Sequence, residues 1–147
     1  MPTLMRQINT ISRCAGAYRA DKLSDSEITP CHHSFILAIS HHPGITQEML
    51  SKHIYINKSN VTRTLSYLEE HGYVTRTPNP EDKRQLFVYP TEKMEAILPK
   101  IKAIAKSWNE YLTEELSPEE LSLFSDVLEK ITLKAKSYVN SKEEGQK

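Results

Sequence analysis

Between residues 57 and 84 the chain carries two groups of side chains whose types and spacing suit contact with a polyanion. The first is Lys58, Ser59, Asn60, Thr62, Arg63 and Ser66, interleaved with Val61, Leu65 and Leu68. Apolar residues at steps of three and four mark the buried face of a helix, so the polar residues, with Tyr67, project outward. Small hydroxyls, an amide and a guanidinium near a helix N-terminus are the groups that read base edges in the major groove. Asn60 suits an adenine edge, Thr62 a base or its methyl, and Arg63 a phosphate or a guanine. A merely solvated helix face is the alternative. The second group is Asp82, Lys83 and Arg84, in the run Pro78-Asn79-Pro80-Glu81-Asp82-Lys83-Arg84. A long cationic side chain on a hairpin tip can enter a narrow minor groove, where the negative potential is enhanced. Asp82 can accept from the Arg84 guanidinium and aim it, or it can simply cap the loop.

These groups need elements to hold them. Asn57 is placed to cap a helix that runs to about His71, with Gly72 as its stop. Before it, Thr46 caps a short helix to about His53, with Met49 and Leu50 inward and Tyr55-Ile56 as a tight connection. Two short helices joined by such a turn form a helix-turn-helix. Backbone N–H groups and side chains at Thr46 and Gln47 suit phosphate contacts, aided by the helix dipole. After Gly72, Tyr73–Thr77 and Gln85–Tyr89 are rich in β-branched and aromatic residues and predict two strands of a hairpin, a wing.

Leu4, Ile8, Ile11, Ala15 and Tyr18 share one face of a first helix, and Asp21 to Pro30 reads as a loop. A second helix spans roughly Cys31 to His42, stopped by Pro43-Gly44. Thr91 can cap a long helix that Pro99 interrupts, and Ser117-Pro118-Glu119-Glu120 opens another through a capping box. From Ser141 onward the tail is expected to fray. The expected fold is mainly α with a small β-hairpin wing. Residues 31–91 form the DNA-binding lobe, and residues 1–20 and 92–140 form a helical dimerisation region. Amphipathic surface on the first and last two helices exceeds what a lone winged helix needs, which predicts a symmetric homodimer.

The chain has 147 residues with 19 basic and 19 acidic side chains. Residues 51–90 carry six Lys/Arg against four acids, a balance of +2, and residues 91–147 carry nine against eleven, a balance of −2. This asymmetry is too weak to identify a nucleic-acid binder by itself. No apolar run spans a membrane, and the first residues lack a secretory h-region, so a reducing cytoplasm is expected. Two cysteines, Cys14 and Cys31, give no disulfide framework. They are expected to be inert, with redox sensing by either as the alternative. Six histidines include the adjacent pairs His32-His33 and His41-His42. Adjacent helical residues point about 100° apart, so they do not make a same-face ligand pair, and no metal or cofactor is expected. No Gly-rich phosphate loop or nucleophile motif appears, which argues against an enzyme. Tyr18, His32, His33, Trp108 and Tyr111 could line a cleft between helices and lobe, or could be core. A winged helix that binds protein, with Tyr67 and Tyr73 as anchors, is the rival reading.

The pattern Ser-x-Val-Thr-Arg-x-Leu-x-x-Leu-Glu-x-x-Gly-x-Val over Ser59–Val74, then Asp82-x-Arg84, a strand and Thr91-Glu92-Lys93, resembles the MarR family of regulators. The match is sharp over about a third of the chain and extends elsewhere in the length and order of helices. It implies a dimeric double-stranded DNA-binding transcription regulator reading a pseudo-palindromic operator. It also implies a repressor relieved by a small aromatic effector, with the cleft named above as the effector pocket. One departure is Met94, where such proteins often have glycine.

Overall fold

A computed structural model describes residues 1–145. The chain divides into two compact units, Met1–Trp108 and Asn109–Lys147.

In the first unit, α1 (Leu4–Lys22) opens on Thr3, whose hydroxyl accepts from the Arg6 N–H. The helix continues through Asp21 and Lys22, where the sequence predicted a loop, and only then turns at Leu23. Leu23 is buried, so the added turn carries an apolar anchor into the core. The expected helix at Cys31 begins as a 3-10 turn, Pro30–His32, and becomes α2 (His33–His41). Phe35, Ile36 and Ile39 of α2 are essentially inaccessible, which makes it the central helix. Gly44, at φ +86°, then reverses the chain.

The helix-turn-helix consists of α3 (Gln47–Ile54) and α4 (Lys58–Glu70), each capped as the sequence predicts. The Thr46 hydroxyl accepts from Met49 N–H, and the Asn57 amide oxygen from Asn60 N–H. Between them Tyr55 adopts a left-handed conformation, φ 57°, a costly backbone state for a non-glycine residue. The Ser51 hydroxyl donates to the Ile56 carbonyl and holds this turn. Leu50, Val61, Leu65 and Leu68 are buried, but Met49, expected inward, is 55% exposed. It sits on the side of α3 that faces an open cleft rather than the core. Tyr67, expected outward, is turned in. Its hydroxyl donates to the Glu27 carbonyl at 2.6 Å, and its ring stacks between His32 and His71.

The wing strands are β2 (Val74–Pro78) and β3 (Leu86–Pro90), one residue later than predicted, paired with Arg76 opposite Val88. A third strand, β1 (Ile45–Thr46), pairs antiparallel with β3, giving the order β1-β3-β2. Two residues are too few to show an alternating pattern, and Thr46 also serves as the cap of α3. Gly72, at φ +81°, turns α4 into β2.

Thr91 joins the wing to α5 (Glu92–Thr113). Its hydroxyl donates to the Gly72 carbonyl at 2.6 Å and accepts from Met94 N–H at 3.3 Å. Met94 is fully buried, so the side chain that departs from the family's glycine is a core residue. Each such buried side chain stabilises by roughly 1.5–3 kcal/mol. Pro99 lies inside α5 without ending it.

In the second unit, α6 (Pro118–Glu144) starts with the predicted capping box: Ser117 Oγ accepts from Glu120 N–H, and Glu120 accepts from Ser117 N–H. The helix passes through Ser141, expected to fray, and ends at Glu144. Gln146 and Lys147 of that predicted tail lie outside the described residues. No residue of α6 is buried, although Leu121, Phe124, Val127 and Leu128 are large and apolar. No helix among the described residues is long and apolar enough to cross a membrane.

Candidate nucleic-acid interface

Burial of Val61, Leu65 and Leu68 leaves Lys58, Ser59, Asn60, Thr62 and Arg63 exposed along the N-terminal half of α4. Ser66, one turn further, is half-buried and accepts from an Arg76 Nη2–H at 3.2 Å. Thr62 Oγ1 donates to the Lys58 carbonyl at 3.0 Å and accepts from Gln47 Nε2 at 3.4 Å. What Thr62 presents outward freely is therefore its methyl group. Gln47 is committed at both ends, because its Oε1 accepts from Arg76 Nη1 at 3.1 Å. Thr46 is the N-cap of α3, so its hydroxyl is engaged with backbone.

At the wing, Arg84 and Asp82 meet as the sequence suggested. Arg84 Nε donates to Asp82 Oδ1 at 3.1 Å, and Nη2 to Oδ2 at 3.4 Å. Asp82 Oδ1 also accepts from the Arg84 backbone N–H at 3.1 Å, so aiming and loop-capping coexist. Asn79 helps hold the loop: its amide donates to Gln85 Oε1, and its Oδ1 accepts from Glu81 N–H. Lys83 is exposed beside them.

The sequence reading missed Arg76 as a site residue. It joins Gln47 of α3, Ser66 and Glu69 of α4, and β2, on which it sits. Opposite charges at Glu69 and Arg76, flanking the Gly72 reversal, were the one available signal. Also missed was the joint where the loop before α2 meets α5. Lys93 Nζ donates to Glu27 at 2.9 Å and to the His71 carbonyl at 2.7 Å, and the Tyr73 hydroxyl donates to Glu27 at 3.2 Å. The hydrogen bond from Lys93 holds the Glu27 carboxyl below its ordinary pKa, while burial pushes Tyr73 up.

The five residues expected around an effector divide. Tyr18 stacks on Trp108, ring centroids 4.9 Å apart. His32 is buried in the stack with Tyr67, and its Nδ1 accepts from Thr29 N–H at 3.0 Å. His33 is half-buried; burial, then the nearby Arg19 charge, lowers its pKa. Tyr111 belongs to the second unit and is exposed. A cleft of about 620 Å³ in the first unit is lined instead by Asp25, Glu27, Tyr73, Lys93, Ile97 and Lys100, among others. Cys14 and Cys31 are free thiols at exposed positions, with Cys31 Sγ 3.0 Å from Thr29 Oγ1. Among the described residues no group of three His, Cys, Asp or Glu side chains is arranged to hold a metal ion.

This arrangement has counterparts. The MarR family matches residues 26–85. The transcriptional regulator HosA of Escherichia coli O111:H- is 32% identical over 105 residues, 71% of this chain and 78% of its own length. The chain belongs to the MarR family. Its helical architecture with a small three-stranded sheet is that of solved MarR winged-helix proteins. A MarR transcriptional regulator from Methanosarcina mazei Go1 superposes with a TM-score of 0.86 at 26% identity, covering 92% of this chain and 97% of that one. A mutant E. coli MarR in complex with operator DNA superposes at 0.78 with 27% identity, covering 87% and 92%. MarR-family proteins are transcription regulators, not enzymes.

Proposed function

We propose that this chain binds double-stranded operator DNA as a homodimer in the cytoplasm and represses transcription by occluding a promoter. A small aromatic effector relieves the repression. The observation that carries the reading is the exposed row Lys58, Ser59, Asn60, Thr62 and Arg63 on a capped helix, with an outward Arg84 on the wing of the same unit. Lys58, Ser59, Asn60, Thr62, Arg63 and Ser66 face the major groove, the backbone N–H groups of Thr46 and Gln47 at the start of α3 approach phosphates, and Asp82, Lys83 and Arg84 serve the minor groove. Residues 31–91 form the reading lobe, and residues 1–20 and 92–140 form the dimer region. Apolar side chains left exposed on α1 (Leu4, Ile11) and on α6 (Phe124, Leu128) support a second copy as their cover. A two-fold axis would set two recognition helices about 34 Å apart, one DNA turn. Within the first unit Tyr18, His32, His33 and Trp108 remain the proposed effector contacts, with the Tyr18–Trp108 stack as their centre. The protein-binding alternative loses its anchors, since Tyr67 and Tyr73 both bond to Glu27.

Selection of sites from randomised duplex DNA with the purified protein tests the reading. A palindromic consensus is expected, with affinity that falls steeply with salt as counterions are released. Failure to enrich any sequence would remove it. Sedimentation at micromolar concentration is expected to give a dimer, and removal of residues 118–147 is expected to abolish both dimer and operator binding.

A further inference from the structure

We infer that Arg76 is a positioning residue for sequence discrimination, locking α3, α4 and the wing strand β2 into one frame through Gln47, Ser66 and Glu69. The inference rests on the proposed reading that α4 and the wing contact DNA. It assigns Arg76 no contact with DNA itself.

A guanidinium offers five N–H donors in a planar fork, and this one makes four bonds to three residues. Nη1 donates to Gln47 Oε1 at 3.1 Å, and Nη2 donates to Ser66 Oγ at 3.2 Å and to Glu69 Oε1 at 3.0 Å. Nε adds a longer bond of 3.4 Å to Glu69 Oε1, and the Arg76 backbone N–H donates to Glu69 Oε2 at 3.0 Å. The side chain is 15% exposed, against 91% for Arg84, so its charge is held by the protein. The chain of bonds continues outward. Gln47, with its oxygen fixed on Arg76, turns its amide nitrogen to Thr62, and Thr62 lies in the exposed row of α4. Arg76 thus sets the orientation of a residue at the start of α3 and, through it, of a candidate base reader. It also ties β2, which leads to Arg84, to the C-terminal half of α4. A base contact needs its donor placed to a few tenths of an ångström, so loosening this frame should affect discrimination before general attraction to DNA.

Lysine separates this role from simple charge, because it keeps the cation and cannot bridge three residues. Arg76→Lys and Arg76→Gln are compared with wild type for affinity on the selected operator and on random duplex, across a salt series. Both are expected to lower the operator-to-random ratio about tenfold, the scale of one lost base contact. Random-duplex affinity and the salt slope should stay unchanged. Gln47→Ala should reproduce part of the loss. If Arg76→Lys keeps the wild-type ratio, or if Arg76→Gln reduces the salt slope by about one, Arg76 acts as a charge on phosphate and the inference is overturned. A second arm needs no DNA. In the NMR spectrum of the free protein, the Gln47 side-chain amide signal, assigned by its loss in Gln47→Ala, should shift in Arg76→Lys while the melting temperature keeps most of its value. A stationary Gln47 signal overturns the positioning role whatever the DNA result. If wild type prefers no duplex but the Gln47 signal moves, the DNA reading has failed, and the discrimination role falls with it while the bond network stands.

Discussion

The wing hairpin carries two arginine–carboxylate pairs of nearly equal length and opposite character. Arg76 and Glu69 meet at 3.0 Å at its base, and Arg84 and Asp82 meet at 3.1 Å near its tip. The base pair joins a strand to a helix seven residues away, and the Arg76 side chain is 15% exposed. The tip pair spans two residues of one turn, and the Arg84 side chain is 91% exposed. Distance alone would rank them equal. The carboxylates are about equally exposed, and it is the arginine that separates the pairs, because an ion pair in water contributes about 0–1 kcal/mol while an enclosed charge that loses its partner keeps its desolvation cost. At the base the donors are turned onto protein. At the tip, Nε and Nη2 serve Asp82 and the rest of the fork faces outward. One guanidinium builds the frame and the other is available to a ligand.

The largest expected difference between the two pairs is in stability. Glu69→Ala leaves the Arg76 guanidinium without its carboxylate and its backbone N–H without an acceptor, which should cost about 1–3 kcal/mol in urea unfolding. Asp82→Ala should cost under about 1 kcal/mol. Equal losses would erase the contrast.

The second test moves from frame to reading face. Asn60→Ala and Thr62→Ala should each lower affinity by about 1–3 kcal/mol at one operator position and relax the preference there. Arg63→Ala should weaken operator and random duplex alike, because phosphate contacts position without specifying. If all three variants behave alike on both duplexes, the assignment of readers along α4 is wrong.

How much of this was legible follows from how far apart the partners lie in the chain. Asp82 and Arg84 are two residues apart in a Pro- and Asn-rich turn, so their meeting could be read directly. The caps at Thr46, Asn57 and Ser117 are equally local, and all three were legible. Arg76 meets Gln47 across 29 residues, and only the folded order of β1, β3 and β2 beside α3 brings them together. Met49 and Tyr67 were misjudged for one reason. Helical periodicity says which residues share a face, but not where the neighbouring elements stop covering it. Met49 faces a cleft beyond the end of α2, and Tyr67 meets His71 four residues on but also His32 far back in the chain, which no pattern within α4 can announce.

Histidine gives the contrast of buried and exposed charge in a titratable form. Burial lowers the pKa of His32, with the nearby His71 adding to the effect, and its Nδ1 already accepts from Thr29 N–H. Tyr67 stacks on its ring and brings no charge. A depressed folded pKa means the unfolded chain binds the proton more readily. The stability contribution is therefore intact above the unfolded value of about 6.5 and is lost as pH falls through the folded one. The melting temperature should fall between about pH 7.5 and about pH 5.5, and fall less in His32→Phe. An equal fall in both would assign the effect to other groups, with His33, also lowered by burial, the first to examine.

The smallest expected effect is the coupling between Asp82 and Arg84. Arg84→Ala should weaken operator binding by an amount that depends on minor-groove width beneath the wing. Asp82→Ala leaves the guanidinium present but unaimed, so it should cost less than losing Arg84 itself. Removing an acid near phosphates also relieves repulsion, which offsets the loss and can reverse its sign. If aiming is all that Asp82 does for binding, the double variant should bind no worse than Arg84→Ala alone, and a double-mutant cycle on binding free energy measures this. Asp82 Oδ1 accepts from both the Arg84 side chain and the Arg84 backbone N–H, so the cycle needs melting curves beside it. Loss of the backbone bond lowers stability whether or not the guanidinium is present, whereas loss of aiming lowers binding only while Arg84 remains. Additive binding losses with a destabilised Asp82→Ala fold would make Asp82 a loop cap and nothing more. Non-additive losses with an unchanged melting temperature would make the pair at the tip a device for aiming, the counterpart of the base pair, whose arginine is enclosed.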